Sequence, residues 1–176
     1  QTCFGENYLQ DALPKITALS DLTIEWHYIG RIQRNKCKDI ARHFAWAHSV
    51  DSAKQAERLN QYRTVQQTAL QCCLQVNLSN EDSKGGIAPA QLHELATTVQ
   101  AQPNLQLRGL MTLPNPHSTA AEQYQAFQQL AELRKQLNAK GFTLDTLSMG
   151  MSGDLELAIT AGSTLVRVGT DLFGPR

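Results

Sequence analysis

Short apolar runs alternate with longer helix-like patterns along the whole of this 176-residue chain. The clearest run, Leu-Gln-Cys-Cys-Leu-Gln-Val-Asn-Leu, covers residues 70–78. Strands are predicted near residues 3–4, 24–29, 45–50, 70–78, 105–110, 144–149 and 165–168, and helices at 8–20, 34–43, 52–66, 89–101, 119–140 and 153–161. Strands that alternate with helices at this spacing are typical of a parallel sheet with helices outside it.

Start and stop signals support three of the predicted helices. Asp51 or Ser52 can cap the third helix, because a short polar side chain accepts a hydrogen bond from the first turn. Pro89 suits the first turn of the fourth helix. Residues 119–122, Thr-Ala-Ala-Glu, form a capping-box pattern at the start of a long helix that Gly141 closes.

The strand and helix order leaves two parallel architectures open. Seven strands are visible, which fits either an open doubly wound sheet or a closed eight-stranded barrel. No Gly-x-Gly-x-x-Gly follows the first strand, and this weakens the case for a dinucleotide-binding fold. No repeat and no low-complexity linker divides the chain, so we expect residues 1–176 to form one domain.

Composition and charge narrow the class of partner. The chain has 16 Lys and Arg against 16 Asp and Glu, and no long basic run, which argues against nucleic acid or a membrane surface as the main partner. No apolar stretch approaches the roughly 20 residues of a membrane-spanning helix. The start of the chain has no signal-peptide pattern. We therefore expect a cytoplasmic protein that is a monomer or a weak dimer.

The cysteines and histidines show no spacing typical of metal ligands. Cys3, Cys37, Cys72 and Cys73 form no Cys-x-x-Cys pair, and reduced thiols are the expectation for a cytoplasmic protein. The five histidines form no His-x-His or His-x-x-x-His pattern. The sequence therefore predicts no metal site.

Two consecutive strand ends near the end of the chain carry the residues of a phosphate site. Residues 148–154 read Ser-Met-Gly-Met-Ser-Gly-Asp, and residues 165–174 read Leu-Val-Arg-Val-Gly-Thr-Asp-Leu-Phe-Gly. Free backbone N–H groups and hydroxyls at such positions bind phosphate. In a (β/α)₈ barrel, the loops after the last two strands are the frequent phosphate site. The sequence therefore points to a phosphorylated small molecule.

Polar residues also follow the other predicted strands, where a parallel barrel places its active site. They are Glu6, Asn7, Gly30, Ser49, Asp51, Asn77, Ser79, Thr112, Ser152, Gly169 and Thr170. Surface loops are polar in any protein, and this ordinary explanation stays open for Ser49, Asn77 and Thr112. It explains the last two clusters less well, because glycine and hydroxyl residues recur together there next to a helix start.

Arg167 lies within a short predicted strand, between Val166 and Val168. Strand alternation turns its side chain away from those of its apolar neighbours. A guanidinium is always charged and costs several kcal/mol to bury without a partner. Two interpretations stay open: a structural salt bridge, or an arginine that faces a ligand at the mouth of the barrel.

Several ordered segments carry a family resemblance that extends from residue 4 to residue 174. They are residues 4–10, 26–36, 76–78 with 83–87, 108–111, 147–152 and 166–174. Together they resemble the YggS family of pyridoxal phosphate homeostasis proteins. The resemblance implies a (β/α)₈ barrel of pyridoxal phosphate (PLP) fold type III, like the amino-terminal barrel of alanine racemases. It also implies bound pyridoxal 5′-phosphate and a role in cofactor supply without a turnover reaction.

The same resemblance implies roles for particular residues. Ser152, Gly169 and Thr170 would hold the phosphate through hydroxyls and backbone N–H groups, and Asn7 would lie beside the ring. Arg167 would face the pyridine nitrogen and keep it unprotonated, which makes the ring a poorer electron sink. Asp171 stands where the family more often has a small residue. We expect its carboxylate to point away from the phosphate, because like charges repel.

The family holds its cofactor as a Schiff base on a lysine in the first barrel strand, before the Gly-Glu-Asn motif. Here that motif begins at residue 5, so we expect the strand, its lysine and the following helix to lie upstream of Gln1. The chain is then a barrel that lacks its first strand and helix. We expect it to be a piece of a longer protein, and a truncated gene is the alternative explanation. None of its lysines lies in an apolar strand. The one lysine expected near the mouth is Lys84.

Two alternatives of other classes stay open. One is a fragment of a PLP-dependent amino-acid racemase with the same barrel. The other is a barrel without cofactor that has a structural or interaction role. The β-rich second domain of a racemase has no counterpart after residues 173–176, Phe-Gly-Pro-Arg, and this favours a carrier or regulator over an enzyme.

Overall fold

The computed structural model describes residues 1–79 and 85–174. Its seven parallel strands form one sheet in sequence order. They are β1 (Cys3–Glu6), β2 (Glu25–Tyr28), β3 (Trp46–Val50), β4 (Leu70–Gln75), β5 (Leu105–Met111), β6 (Thr146–Met151) and β7 (Leu165–Arg167). Every strand that the apolar runs predict is therefore confirmed.

Seven α-helices connect the strands or follow them in the described residues. They are α1 (Leu9–Ala18), α2 (Cys37–His43), α3 (Ala53–Tyr62), α4 (Leu92–Gln100), α5 (Ala120–Ala139), α6 (Leu155–Thr160) and α7 (Thr170–Phe173). Short 3-10 turns at Arg34–Lys36 and Pro89–Gln91 precede α2 and α4. Within the described residues, no helix is both long and apolar enough to cross a membrane.

The predicted helix starts agree with the structure. The hydroxyl of Ser52, rather than Asp51, accepts a hydrogen bond from the backbone N–H of Gln55 at the start of α3. Thr119 and Glu122 form the complete capping box of α5. Gly141 follows the end of that helix with φ of +95°, a conformation that glycine adopts without a steric penalty.

The ends of two predicted elements differ from the structure, and one helix was not predicted. Helix α3 ends at Tyr62 instead of residue 66, because Arg63 turns away and its side chain binds other segments. Strand β4 ends at Gln75, beyond which the backbone of Asn77 bonds to Ile87. Helix α7 was not predicted, because four residues give no detectable helical period.

The sheet curls into a nearly closed barrel. Nδ1 of His48 on β3 lies 2.8 Å from the hydroxyl of Ser148 on β6. A flat sheet would hold these strands three spacings apart, about 14 Å. The contact therefore crosses the interior of the barrel. This is the fold that the sequence predicts, observed here with seven strands.

Two apolar clusters stabilise the barrel. The larger lies between the outer face of the sheet and the helices, and includes Tyr28, Phe44 and Phe127. The rings of Tyr28 and Phe44 meet edge to face, with centroids 5.3 Å apart. The smaller cluster, Trp46, Cys73 and Met111, is separate from the larger one. Both tryptophans are buried, as expected of core residues.

Candidate functional site

The loops after β6 and β7 lie against each other. The hydroxyl of Ser152, in the turn after β6, accepts a hydrogen bond of 3.3 Å from the backbone N–H of Asp171. Asp171 is the second residue of α7, and Gly169 and Thr170 directly precede it. The structure therefore brings together Ser152, Gly169 and Thr170, the three residues predicted to hold a phosphate.

The donors in this pair of loops are available to a ligand. Within the described residues, the backbone N–H groups of Gly169 and Thr170 donate to no protein acceptor, and the hydroxyl of Thr170 has no partner. A Cβ atom added at Gly169 would meet nothing within 4 Å, so the space around this backbone is open. An anion with several acceptor oxygens fits this donor set.

Arg167 reaches from β7 into the barrel. Its Nη1 donates to the backbone oxygen of Ser148 at 2.8 Å and to the hydroxyl of Ser148 at 2.6 Å, and its Nη2 donates to the backbone oxygen of Thr112 at 3.0 Å. No carboxylate among the described residues lies within ion-pair distance of it. The salt-bridge interpretation of Arg167 is therefore wrong for the described residues.

Desolvation governs the electrostatics of Arg167. Removal from water lowers the pKa of the guanidinium to about 10, although the charges of Asp154 and Cys73 act in the opposite direction. The carboxylate of Asp154 is buried and accepts a hydrogen bond of 2.5 Å from the backbone N–H of Met151. Arg167 still carries its charge at neutral pH, since this pKa lies well above 7.

Asn7 occupies a different part of the sheet. It follows β1, at the opposite end of the strand order from Arg167, and its side chain is exposed. Its backbone lies so close to Gly30 that a Cβ atom added at Gly30 would be 2.0 Å from the oxygen of Asn7. The close approach explains why the predicted strand end at residue 30 is a glycine.

Three other polar strand ends have structural roles. The hydroxyl of Ser49 donates to the backbone oxygen of Gly30, and that of Thr112 donates to the backbone oxygen of Val76 at 3.0 Å. Glu6 pairs with Lys15, Oε1 to Nζ, at 2.6 Å. Both Ser49 and Thr112 are buried, so their hydroxyls have internal structural roles, and the explanation from the polarity of surface loops does not apply to them.

The lysines of the described residues lie outside the strands, as predicted. Lys15 is in α1, Lys54 in α3 and Lys135 in α5, while Lys36 ends a 3-10 turn before α2. Lys84, the lysine expected near the mouth, lies outside the described residues. The structure thus leaves the prediction about Lys84 untested.

The interior of the barrel contains polar residues that the sequence did not single out. Nδ1 of His27 lies 2.9 Å from Nε2 of His48, and His48 contacts Ser148, a partner of Arg167. A signal was present, because His27 and His48 are polar residues within predicted strands. Their meeting depends on how β2 and β3 are paired.

One group of potential metal ligands occurs in the described residues. Cys3, Glu25 and His27 each offer one ligand atom, and these atoms lie within 4.8 Å of one another. Nε2 of His27 and Oε1 of Glu25 already bond to each other at 3.0 Å. We assign no metal to this group, because the hydrogen bond accounts for the arrangement.

A parallel βα barrel with a phosphate-type donor set at its last two loops is typical of barrels that bind phosphorylated ligands, and comparison with known proteins identifies the family. The model of the alanine racemase N-terminal domain family matches residues 1–176. The structure of an alanine racemase from Clostridium difficile superposes with a TM-score of 0.79 at 12% identity, covering 99% of this chain and 45% of that one. At this identity the likeness shows the fold alone.

Closer relatives identify the branch of that family. The chain is 55% identical over 173 residues to the pyridoxal phosphate homeostasis protein of Pseudomonas aeruginosa, covering 98% of this chain and 74% of the relative. It is 45% identical over 179 residues to that of Escherichia coli, covering 100% and 76%. PipY of Synechococcus elongatus, solved with PLP bound, superposes with a TM-score of 0.92 at 39% identity, covering 99% and 82%. The chain belongs to the family of pyridoxal phosphate homeostasis proteins.

Proposed function

We propose that this chain binds pyridoxal 5′-phosphate and serves the homeostasis of that cofactor without a turnover reaction of its own. The single observation that carries the proposal is the pair of loops that places Ser152 beside the free N–H groups of Gly169 and Thr170. The names of the relatives and the PLP-bound structure of PipY support it. When bound, the cofactor supplies an aldehyde and an electron-withdrawing pyridine ring.

Each residue of the proposed site has a separate role. Ser152 and Thr170 donate their hydroxyls to the phosphate, and the backbone of Gly169 and Thr170 donates N–H groups. Arg167 faces the pyridine nitrogen, and Asn7 lies beside the ring. A guanidinium can only donate hydrogen bonds, so it matches an unprotonated ring nitrogen. A ring held in that state withdraws electrons weakly, which agrees with a carrier or regulator.

The site is tested by removing both hydroxyls. PLP is titrated into the protein while absorbance and fluorescence are recorded, and the variant with Ser152→Ala and Thr170→Val is compared with the wild type. The loss of two charge-assisted hydrogen bonds is expected to weaken binding by about 100-fold. A matched control replaces Ser20 with Ala and Thr97 with Val, two exposed positions outside the loops. Equal affinity of the two double variants would place the site elsewhere.

The absence of turnover is tested separately. The protein with added PLP is incubated with L-alanine and with other L-amino acids, and optical rotation is followed over hours. We expect no racemisation above the rate of PLP alone. A rate that depends on protein concentration would overturn this part of the proposal and leave cofactor binding intact.

We also propose that the protein acts in the cytoplasm as a monomer or a weak dimer, with no nucleic acid as partner. The balanced charge supports the absence of a polyanion partner, and the four free cysteines agree with a reducing compartment. Light scattering after size exclusion, with and without added DNA, tests the oligomeric state and the absence of a nucleic-acid partner. A stable tetramer or a nucleoprotein peak would contradict them.

A further inference from the structure

A line of hydrogen bonds crosses the interior of the barrel and ends at Arg167. Oε1 of Glu25 lies 3.0 Å from Nε2 of His27, whose Nδ1 lies 2.9 Å from Nε2 of His48. Nδ1 of His48 lies 2.8 Å from the hydroxyl of Ser148, which accepts a bond of 2.6 Å from Nη1 of Arg167. Four side chains thus connect the partly exposed start of β2 with the arginine of the proposed site.

The two ends of this line fix the direction of every bond in it. Arginine can only donate, so the Ser148 oxygen accepts from Arg167. A carboxylate can only accept, so Nε2 of His27 carries the hydrogen that binds Glu25. A neutral His27 then accepts at Nδ1, which requires a hydrogen on Nε2 of His48. His48 in turn accepts at Nδ1 from the hydroxyl of Ser148. Each hydrogen bond is therefore donated in the direction that leads from Arg167 to Glu25.

The reverse arrangement is excluded by the chemistry of the ends. If His48 donated from Nδ1 to Ser148, its Nε2 would carry no hydrogen and would have to accept from Nδ1 of His27. A neutral His27 would then have no hydrogen on Nε2, the atom that faces the carboxylate of Glu25. Two acceptors would then face each other at 3.0 Å. Burial disfavours the alternative of a charged pair of rings, because desolvation lowers the pKa of both His27 and His48. The neighbouring charge of Arg167 lowers the pKa of His48 further.

The line commits the guanidinium to one orientation. Nη1 uses both of its hydrogens on Ser148, and Nη2 uses one on the backbone oxygen of Thr112. Of the five N–H donors of an arginine, the Nε hydrogen and one Nη2 hydrogen remain. When the hydroxyl of Ser148 donates its own hydrogen to His48, its rotation is fixed and a lone pair faces Nη1.

We propose that Glu25, His27 and His48 act through Ser148 as positioning residues for Arg167, and that this line determines how the arginine meets the ring nitrogen of a bound pyridoxal phosphate. The proposal rests on the function proposed above. His48 is its central member, since it touches both the other histidine and Ser148.

The direction of the line can be measured without cofactor. Long-range proton–nitrogen NMR correlations of the histidine rings report which nitrogen carries the hydrogen. At pH 7.5 we expect both His27 and His48 to be neutral and protonated at Nε2. Glu25→Gln provides a donor as well as an acceptor at the end of the line, so that variant is expected to admit the Nδ1-protonated forms. A wild-type His48 protonated at Nδ1, or charged, would overturn the proposal.

The effect on the site is measured with two ligands, PLP and N-methyl-PLP, whose methylated ring nitrogen cannot accept a hydrogen bond. The wild type is expected to prefer PLP by about tenfold or more, because one charged hydrogen bond is lost. His48→Gln, with His27→Gln as a second variant, is expected to reduce this preference to about threefold or less. His43→Gln, at an exposed histidine of α2, is the matched control and retains the full preference.

The outcomes separate this proposal from the one on which it rests. A wild type that binds neither ligand contradicts the proposed function. The histidine tautomers then still test the direction of the hydrogen bonds between Glu25 and Arg167. A wild type that binds both ligands equally contradicts the role of Arg167 at the ring. Full preference retained in both folded histidine variants overturns the positioning role. If both histidine variants fail to fold, the proposal is tested by the histidine tautomers of the wild type and of Glu25→Gln. A wild-type His48 protonated at Nδ1 overturns it.

Discussion

Arg167 donates a hydrogen bond of 2.6 Å to the hydroxyl of Ser148, and this bond joins the last strand of the sheet to the strand beside it. The same hydroxyl contacts His48 on β3, so one oxygen connects three strands. Because the interior is desolvated, loss of this oxygen leaves polar groups without partners. The relationship therefore affects stability as well as the proposed ligand site.

Ser148→Ala tests that relationship. The substitution removes one acceptor of Arg167 and leaves Nδ1 of His48 without its partner. We expect the free energy of unfolding to fall by about 1–3 kcal/mol. Urea denaturation followed by circular dichroism measures it. Ser20→Ala, at an exposed turn, is the control and should stay within about 0.5 kcal/mol of the wild type. Equal midpoints for the two variants would contradict the prediction.

Arg63 stabilises the junction between α2 and β3. Its guanidinium is buried and donates to the backbone oxygens of Ala41 at 2.6 Å, Phe44 at 2.7 Å and Thr68 at 2.8 Å. Arg63→Met leaves these oxygens without a donor. We expect the free energy of unfolding to fall by about 3 kcal/mol or more.

The control for Arg63→Met is Arg42→Met, at an exposed position near the end of α2. It removes an equal charge without removing a buried donor, and thermal or urea unfolding should change little. If the Arg63 variant unfolded at the same urea concentration as this control, the three bonds would not contribute to stability.

The buried histidines predict a pH dependence of stability. Desolvation lowers the pKa of His27 and of His48 in the folded state, and the unfolded value is about 6.5. The unfolded chain therefore binds more protons below this pH. Stability is fully present above about pH 6.5 and is lost as the pH falls toward the folded pKa values.

His48→Gln should reduce that pH dependence. The ionisable groups around the pair include Glu25 and Cys3, which lie beside His27, and Arg167, which faces His48 through Ser148. Urea unfolding between pH 5 and pH 7.5 measures the slope, and His43→Gln should retain the slope of the wild type. A slope unchanged by His48→Gln would show that other groups cause it.

Gly30 permits the close approach of two strand ends. A Cβ atom at this position would lie 2.0 Å from the backbone oxygen of Asn7. Gly30→Ala is therefore expected to lower the free energy of unfolding by about 2 kcal/mol. Gly153→Ala is the matched control, since a Cβ there meets nothing within 4 Å. Equal urea midpoints would contradict the steric argument.

The secondary structure could be predicted wherever the signal is local. The capping residues Ser52 and Thr119 lie next to the helices that they start, and each apolar run became a strand. The end of α3 could not be predicted, because it depends on acceptors at Ala41 and Phe44 that are distant in the sequence. The residues of the loops after β6 and β7 were predicted, since both loops are short and follow neighbouring strands.

The sequence by itself determined the order of strands and helices, the family and the residues proposed to hold the phosphate, because these depend on local pattern and on motif. Only the tertiary structure decided the partners of Arg167 and the meeting of His27 with His48. Those contacts join residues up to 55 positions apart. They depend on how strands that are distant in the sequence pack together and on how the sheet curves, and these are properties of the whole fold.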